Sequence, residues 1–223
     1  MTLQQFLAIV ERLKEHYPAW DAPAKRFVTE ATFRRTPYTI LITTLLSLRT
    51  HDSVTLQAAN RLFAIADTPH EMVHVSRETI ERAIHPVGMY RRKAATILEV
   101  SQALLERFGG EVPKSLEELC SIKGVGRKTA KIVLESGYGL PYVAVDTHVH
   151  RILNRWGFVQ TKSAQETDRV LEERLPTELR RGLNRLLVSF GQLYCKPVRP
   201  DCRECPVRET LEGMGIRCNI ADH

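Results

Sequence analysis

Several features are missing from this sequence, and each absence narrows the reading. No run of about 18 apolar residues occurs, which leaves no candidate for a transmembrane helix. No apolar/polar alternation is long enough to compete with helical spacing. Residues 141–145, PYVAV, are extended but too short and isolated for a sheet. No low-complexity linker and no regular repeat marks off a domain, so a boundary must be argued from motifs. The first stretch, MTLQQFLAIVERLKEHYPAW, carries Glu11 and Glu15 inside a helical pattern and lacks a small-residue cleavage site, so it is not expected to be a signal peptide. A reducing, intracellular setting is the default expectation. In that setting five cysteines point to metal or packing roles rather than to a disulfide framework.

What is present is ordinary for a globular chain. The 223 residues suffice for one large domain or two small ones, with 43% apolar and 26% charged residues. The formal net charge of +6 and a pI near 9.2 favour attraction to a polyanion.

Helical signals run nearly throughout, so the fold class expected is all-α. Thr2 with Gln5 reads as a capping box ahead of Phe6, Val10 and Leu13. Thr36-Pro37 reads as an N-cap and first helical residue, opening a strongly apolar and therefore central helix through Ile40, Leu41, Leu45 and Leu48. Thr68-Pro69-His70-Glu71 starts another. Ser76 starts a third, ending near Pro86-Val87-Gly88, and Lys93 to Phe108 forms a fourth, stopped by Gly109-Gly110. Ser115 with Glu118 and Ser163 with Glu166 read as further capping boxes. Thr177 to Leu193 reads as one long helix burying Leu179, Leu183, Leu186, Leu187 and Phe190.

Two short stretches carry chemistry. Leu116, Leu119 and Ile122 lead into Gly124-Val125-Gly126, after which Thr129, Ile132, Val133 and Ser136 share a helical face. This is helix, glycine turn, helix: the glycines permit positive φ, Val125 pins the turn, and the outward N–H groups of the turn and helix N-terminus suit a phosphodiester. Lys128 follows Arg127 in the first turn and shares a polar face with Lys131 and Glu135. The helix dipole and its basic neighbours disfavour a charge there, conditions that suit an amine nucleophile. Asp146 precedes Thr147 and an apolar stripe of Val149, Ile152, Leu153 and Trp156, so it reads as an N-cap whose second oxygen is left for other work.

Near the end stand Cys195, Cys202, Cys205 and Cys218, spaced C-x6-C-x2-C-x12-C. Four thiols so clustered signal a metal, and spacing alone leaves zinc and a cubane iron–sulfur cluster both open. Lys196, Arg199, Arg203 and Arg208 make the loop basic, while Cys120 stands apart and reads as a small buried hydrophobe.

GVGRKTA followed by AVDTHVHRILNRWG resembles the endonuclease III family of DNA glycosylases. LLSLRTHD (45–52), VGMYRRKA (87–94) and GGEVPKSLEEL extend the resemblance over roughly residues 25–210. It implies that Lys128 is the nucleophile and Asp146 the essential carboxylate. It implies a [4Fe-4S] cluster on Cys195, Cys202, Cys205 and Cys218, although relatives space the last pair by five residues, and DNA contacts from Arg49, Met89, Gly124, Val125, Gly126 and Arg127. Arg49 stands where relatives often carry Gln, and Met89 where many carry Leu. By resemblance, residues 23–137 form a helical barrel with the helix-hairpin-helix at about 115–137. Residues 1–22 plus 138–223 form the cluster domain, and a DNA-binding groove lies between the two. The function implied is a monomeric, cytoplasmic (in a prokaryote, nucleoid-associated) base-excision enzyme acting on double-stranded DNA. It removes oxidised pyrimidines and cleaves 3′ of abasic sites through a Schiff base and β-elimination. The rivals are a monofunctional mismatch glycosylase, which lacks a lysine at the position of Lys128, and a non-catalytic hairpin module with a metal staple, which leaves the joint Lys128–Asp146 match unexplained.

Overall fold

The structure is a computed structural model that describes residues 1–216. Among the described residues it contains helices and turns and no strand, the all-α class expected. The chain divides into two compact units, Phe27–Tyr142, and Met1–Arg26 with Val143–His223. Helix α1 spans Leu3–His16, α2 Pro23–Thr29, α3 Pro37–Ser47, α4 Asp52–Phe63, α5 Pro69–Met72, α6 Arg77–Ile84 and α7 Tyr90–Phe108. They are followed by α8 (Leu116–Cys120), α9 (Arg127–Tyr138), α10 (Thr147–Arg155), α11 (Ala164–Arg174), α12 (Leu183–Leu193) and α13 (Arg208–Gly213).

In the unit Phe27–Tyr142, α3 is the centre. Thr36 and Thr39 exchange backbone and side-chain hydrogen bonds at 2.9 and 3.1 Å, and Pro37 takes the first helical position. Every residue from Tyr38 to Leu46 is buried, and α4, α7 and α9 pack around the helix. Its polar side chains mostly find partners inside. Tyr38 Oη lies 2.7 Å from Ser101 Oγ, which donates to the Ile97 carbonyl, and Thr44 Oγ1 donates to the Ile40 carbonyl. Burial pushes the Tyr38 phenol above its ordinary range.

The other unit closes around α1. Thr2 and Gln5 form the expected capping box, with bonds of 2.8 and 3.2 Å. Phe6, Ile9, Val10 and Leu13 join a core with Val149, Ile152 and Leu153 of α10 and Leu186, Leu187 and Phe190 of α12. Phe6 stacks on Phe158 with ring centroids 4.1 Å apart.

Four expectations are corrected. The segment Thr177–Leu193 is not one helix. A 3-10 turn covers Thr177–Leu179, and Gly182, at φ +74°, resets the chain before α12, leaving Leu179 only half-buried. Helix α7 begins at Tyr90, three residues earlier than expected. Leu48 lies past the end of α3 and is exposed, because the helix stops at Ser47. Ser115 and Ser163 each cap their helix, yet the glutamates do not complete the box. The Glu166 carboxylate accepts from the Lys162 N–H at 2.8 Å instead, and Ser115 Oγ bonds Glu117. Among the described residues no helix is long and apolar enough to cross a membrane.

Phe6 is fully buried and ties α1 to residues far along the chain. Phe6→Ala is expected to lower unfolding free energy by about 3–5 kcal/mol, read from urea melts.

Candidate active site and cysteine loop

The turn between α8 and α9 is built as the spacing implies. Val125 is buried, and its N–H donates to the Ile122 carbonyl at 3.0 Å. Gly124 sits at φ +93°, where an added Cβ would meet Thr96 Cγ2 at 2.8 Å. Gly126 differs from the expectation. It is the N-cap of α9 at φ −86°, and an added Cβ would meet nothing within 4 Å. Nothing among the described residues therefore requires glycine at 126.

Lys128 is exposed on the first turn of α9, with no hydrogen bond or ion pair among the described residues. The polar face assigned to it needs correction. Lys131 is buried at 1% exposure, and Ser136 is exposed. Because α9 packs on both α3 and α8, its buried arc is wide and takes in Thr129, Ala130, Lys131, Val133 and Leu134. Cys120 is exposed rather than buried. In the five-residue α8, Leu116 and Leu119 hold the inward face, and the next residue points about 100° away.

Asp146 belongs to the other unit. Its Oδ1 accepts the Val149 N–H at 2.9 Å and caps α10, while Oδ2 has no hydrogen-bond partner among the described residues. Val143, Ala144 and Val145 leading to it are buried, and Asn184 Nδ2 holds the Ala144 carbonyl at 2.6 Å.

Arg49 and Met89 are brought together in the unit Phe27–Tyr142. Both are exposed, and both adopt φ of +55°, a left-handed conformation costing a branched-at-Cβ or longer residue roughly 1–2 kcal/mol. Their turns touch. A Cβ on Gly88 would meet the Arg49 carbonyl at 2.9 Å, and the Gly88 N–H donates to Thr50 Oγ1 at 3.2 Å.

Cys195, Cys202 and Cys205 lie on a loop that folds back on itself, the Asp201 N–H donating to the Tyr194 carbonyl at 2.8 Å. Cys202 is buried, the other two are half-buried, and Lys196, Arg199 and Arg203 are exposed around them. Arg208, counted with that basic loop, pairs with Glu212 at 2.8 Å. Cys218 lies outside the described residues. Among the described residues no group of three or more His, Cys, Asp or Glu side chains is arranged to hold a metal ion.

The family described as HhH-GPD superfamily base excision DNA repair protein matches residues 42–177. The chain is 47% identical over 176 residues to the endonuclease III of Thermotoga maritima, covering 79% of this chain and 83% of that protein. The chain belongs to the HhH-GPD superfamily. It is also 33% identical over 206 residues to the endonuclease III of Escherichia coli K12, covering 92% of this chain and 94% of that one. Its fold is similar to that of endonuclease III in a non-covalent complex with DNA, with a TM-score of 0.81 and 32% identity over 96% of this chain and 99% of that one.

Three residues of this HhH-GPD chain escaped the sequence reading. Arg151 and Arg155, one turn apart on α10, both reach the cysteine loop. Arg151 Nη2 donates to the Cys195 carbonyl at 2.7 Å, and Arg155 Nη1 donates to Cys195 Sγ at 3.3 Å and to the Lys196 carbonyl at 2.6 Å. Burial pulls the Arg151 guanidinium below its ordinary value, against the pull of Cys195. Lys93 is buried on the apolar side of α7 with Ala94, Ile97, Val100 and Leu104. A lysine on an apolar stripe was the available signal.

The two turn glycines separate by experiment. Gly124→Ala is expected to cost about 1–3 kcal/mol, through its positive φ and the contact with Thr96, whereas Gly126→Ala is expected to stay within about 1 kcal/mol of the parent. Parallel thermal melts check both.

Proposed function

We infer that this chain is a base-excision repair enzyme, a DNA glycosylase for oxidised pyrimidines that also cleaves abasic sites as a lyase. The observation that carries the reading is Lys128, an exposed amine directly behind the Gly124–Gly126 turn. The N-terminus of α9, which carries no side-chain cap, attracts phosphate, and a surface that leaves Gly126 with no contact to a Cβ suits the close approach of a phosphodiester. The net charge of +6 favours the same partner, double-stranded DNA. The similarity to endonuclease III, one structure of which is bound to DNA, supports it further.

A nucleotide has to leave the base stack before its C1′ can be attacked. Arg49 and Met89, exposed on adjoining turns, fill the space it vacates. By the family resemblance, Asp146 is the carboxylate that stabilises positive charge on the sugar and helps deprotonate Lys128. The neutral Nζ attacks C1′, the bond from C1′ to the base breaks, and the base departs with the bonding electrons and takes up a proton. Opening of the sugar ring leaves a protonated Schiff base that acidifies the C2′ hydrogen. Loss of that proton expels the 3′ phosphate, and water then releases Lys128.

The donor set of the cysteine loop fits the family's [4Fe-4S] cluster. Cys195, Cys202 and Cys205 are thiols on one folded-back segment, and the Arg155 N–H at Cys195 Sγ is the kind of bond a metal-bound thiolate accepts. Cys218 is the fourth ligand in this reading. When bound, the cluster supplies cross-links between these thiolates and so orders the basic loop of Lys196, Arg199 and Arg203.

Borohydride is expected to trap wild-type protein on abasic DNA. Lys128→Ala abolishes the adduct and lowers incision by at least about 10³-fold while keeping most DNA affinity. Asp146→Asn keeps its cap and its melting temperature yet loses turnover comparably. A Lys128→Ala protein that still cross-links disproves the assignment. Protein prepared anaerobically is expected to contain iron and inorganic sulfide, and Cys202→Ser to lose both. Full zinc occupancy without sulfide rules the cluster out.

A further inference from the structure

The Lys93 ammonium is enclosed at 7% exposure, and its three N–H groups meet three acceptors: the Leu46 carbonyl at 2.6 Å, the Leu48 carbonyl at 2.6 Å and Thr50 Oγ1 at 3.1 Å. Thr50 Oγ1 also accepts the Gly88 N–H at 3.2 Å, so one hydroxyl joins the segment carrying Arg49 to the segment carrying Met89. Gly88 lies so close to the Arg49 carbonyl that a side chain there would collide with it. Lys93 itself stands on the first turn of α7, and its N–H donates to the Met89 carbonyl at 3.0 Å. The backbone of one exposed turn and the side chain reaching the other therefore belong to a single residue. Both tips are held left-handed, a conformation that neither arginine nor methionine keeps without such support.

We propose that Lys93 is a positioning residue that locks the Arg49 and Met89 turns into one rigid two-pronged probe, which sets how the enzyme opens the duplex and reads the base opposite the lesion. The proposal rests on the glycosylase reading above. It extends that reading to a residue that touches neither DNA nor the reacting atoms. A buried lysine cannot be exchanged for a neutral side chain of the same length without freeing three acceptors, whereas a purely structural lysine would affect all substrates alike.

The test compares Lys93→Met and Thr50→Val with wild type on two duplexes, one carrying thymine glycol and one a preformed abasic site, with 2-aminopurine opposite the lesion reporting its unstacking. Base excision is expected to fall roughly 10- to 100-fold, with a weakened 2-aminopurine signal. Incision of the abasic duplex, which has no base to extrude, stays within about threefold. If Lys93→Met does not fold, Thr50→Val, which removes only the shared hydroxyl, decides. Folded variants that keep the wild-type ratio of excision to abasic incision and the wild-type fluorescence overturn the proposal alone. Wild-type protein that incises neither duplex overturns the glycosylase reading and the proposal together.

Discussion

A helix enclosed by protein has nowhere to send its terminal carbonyls except to other protein groups. Helix α3 is in that position, with nine consecutive residues buried, and much of the unit Phe27–Tyr142 follows from it. Its start is sealed by the Thr36–Thr39 exchange, and its interior hydroxyls bond back to Ile40 or across to Ser101. Its end is met by an ammonium from α7, which bonds the carbonyls of Leu46 and Leu48. A positive group at a helix C-terminus also opposes the negative end of the helix dipole. Desolvation still draws the Lys93 ammonium down to about 8. The same ammonium also bonds Thr50 Oγ1, which accepts the Gly88 N–H, so the end of α3 and the two exposed turns beside it are tied to one side chain.

Signals confined to a few neighbouring residues were legible in the sequence. Thr2 with Gln5, Thr36-Pro37 and Thr68-Pro69 each act through bonds reaching three residues ahead, and the structure forms all three caps. Ser115 and Ser163 cap their helices without the expected boxes, and the other differences arise where a local pattern competes with tertiary packing. Leucine spacing across 177–193 looked continuous, but Gly182 breaks it by adopting a left-handed conformation. Lys131 was placed on a solvent face because lysine usually is, yet two neighbouring helices enclose that side of α9. Cys120 was placed inside by residue type, although its register on α8 turns it outward.

The candidate site divides in the same way. Lys128 and Asp146 were found from short motifs, and the structure gives each the local setting those motifs imply: an exposed first-turn amine and an N-cap with one oxygen engaged. Arg151 and Arg155 are not legible in the sequence, because their partners on the cysteine loop lie forty or more residues away, and for Lys93 the only signal is a lysine on an apolar stripe, which does not name its partners. Arg49 and Met89 were picked by resemblance. Their shared left-handed backbone is a property of the fold that no residue pattern carries.

The discontinuous unit has a consequence for how the chain is made. The apolar face of α1 precedes the residues that cover it, in α10 and α12, by the whole of Phe27–Tyr142. At about 5–20 residues per second, Phe6, Ile9, Val10 and Leu13 wait on the order of ten seconds or more for their partners. The intervening unit has its own core and is free to fold in that interval. A chain emerging in sequence order therefore exposes the apolar face of α1 for as long as the unit Phe27–Tyr142 takes to be made.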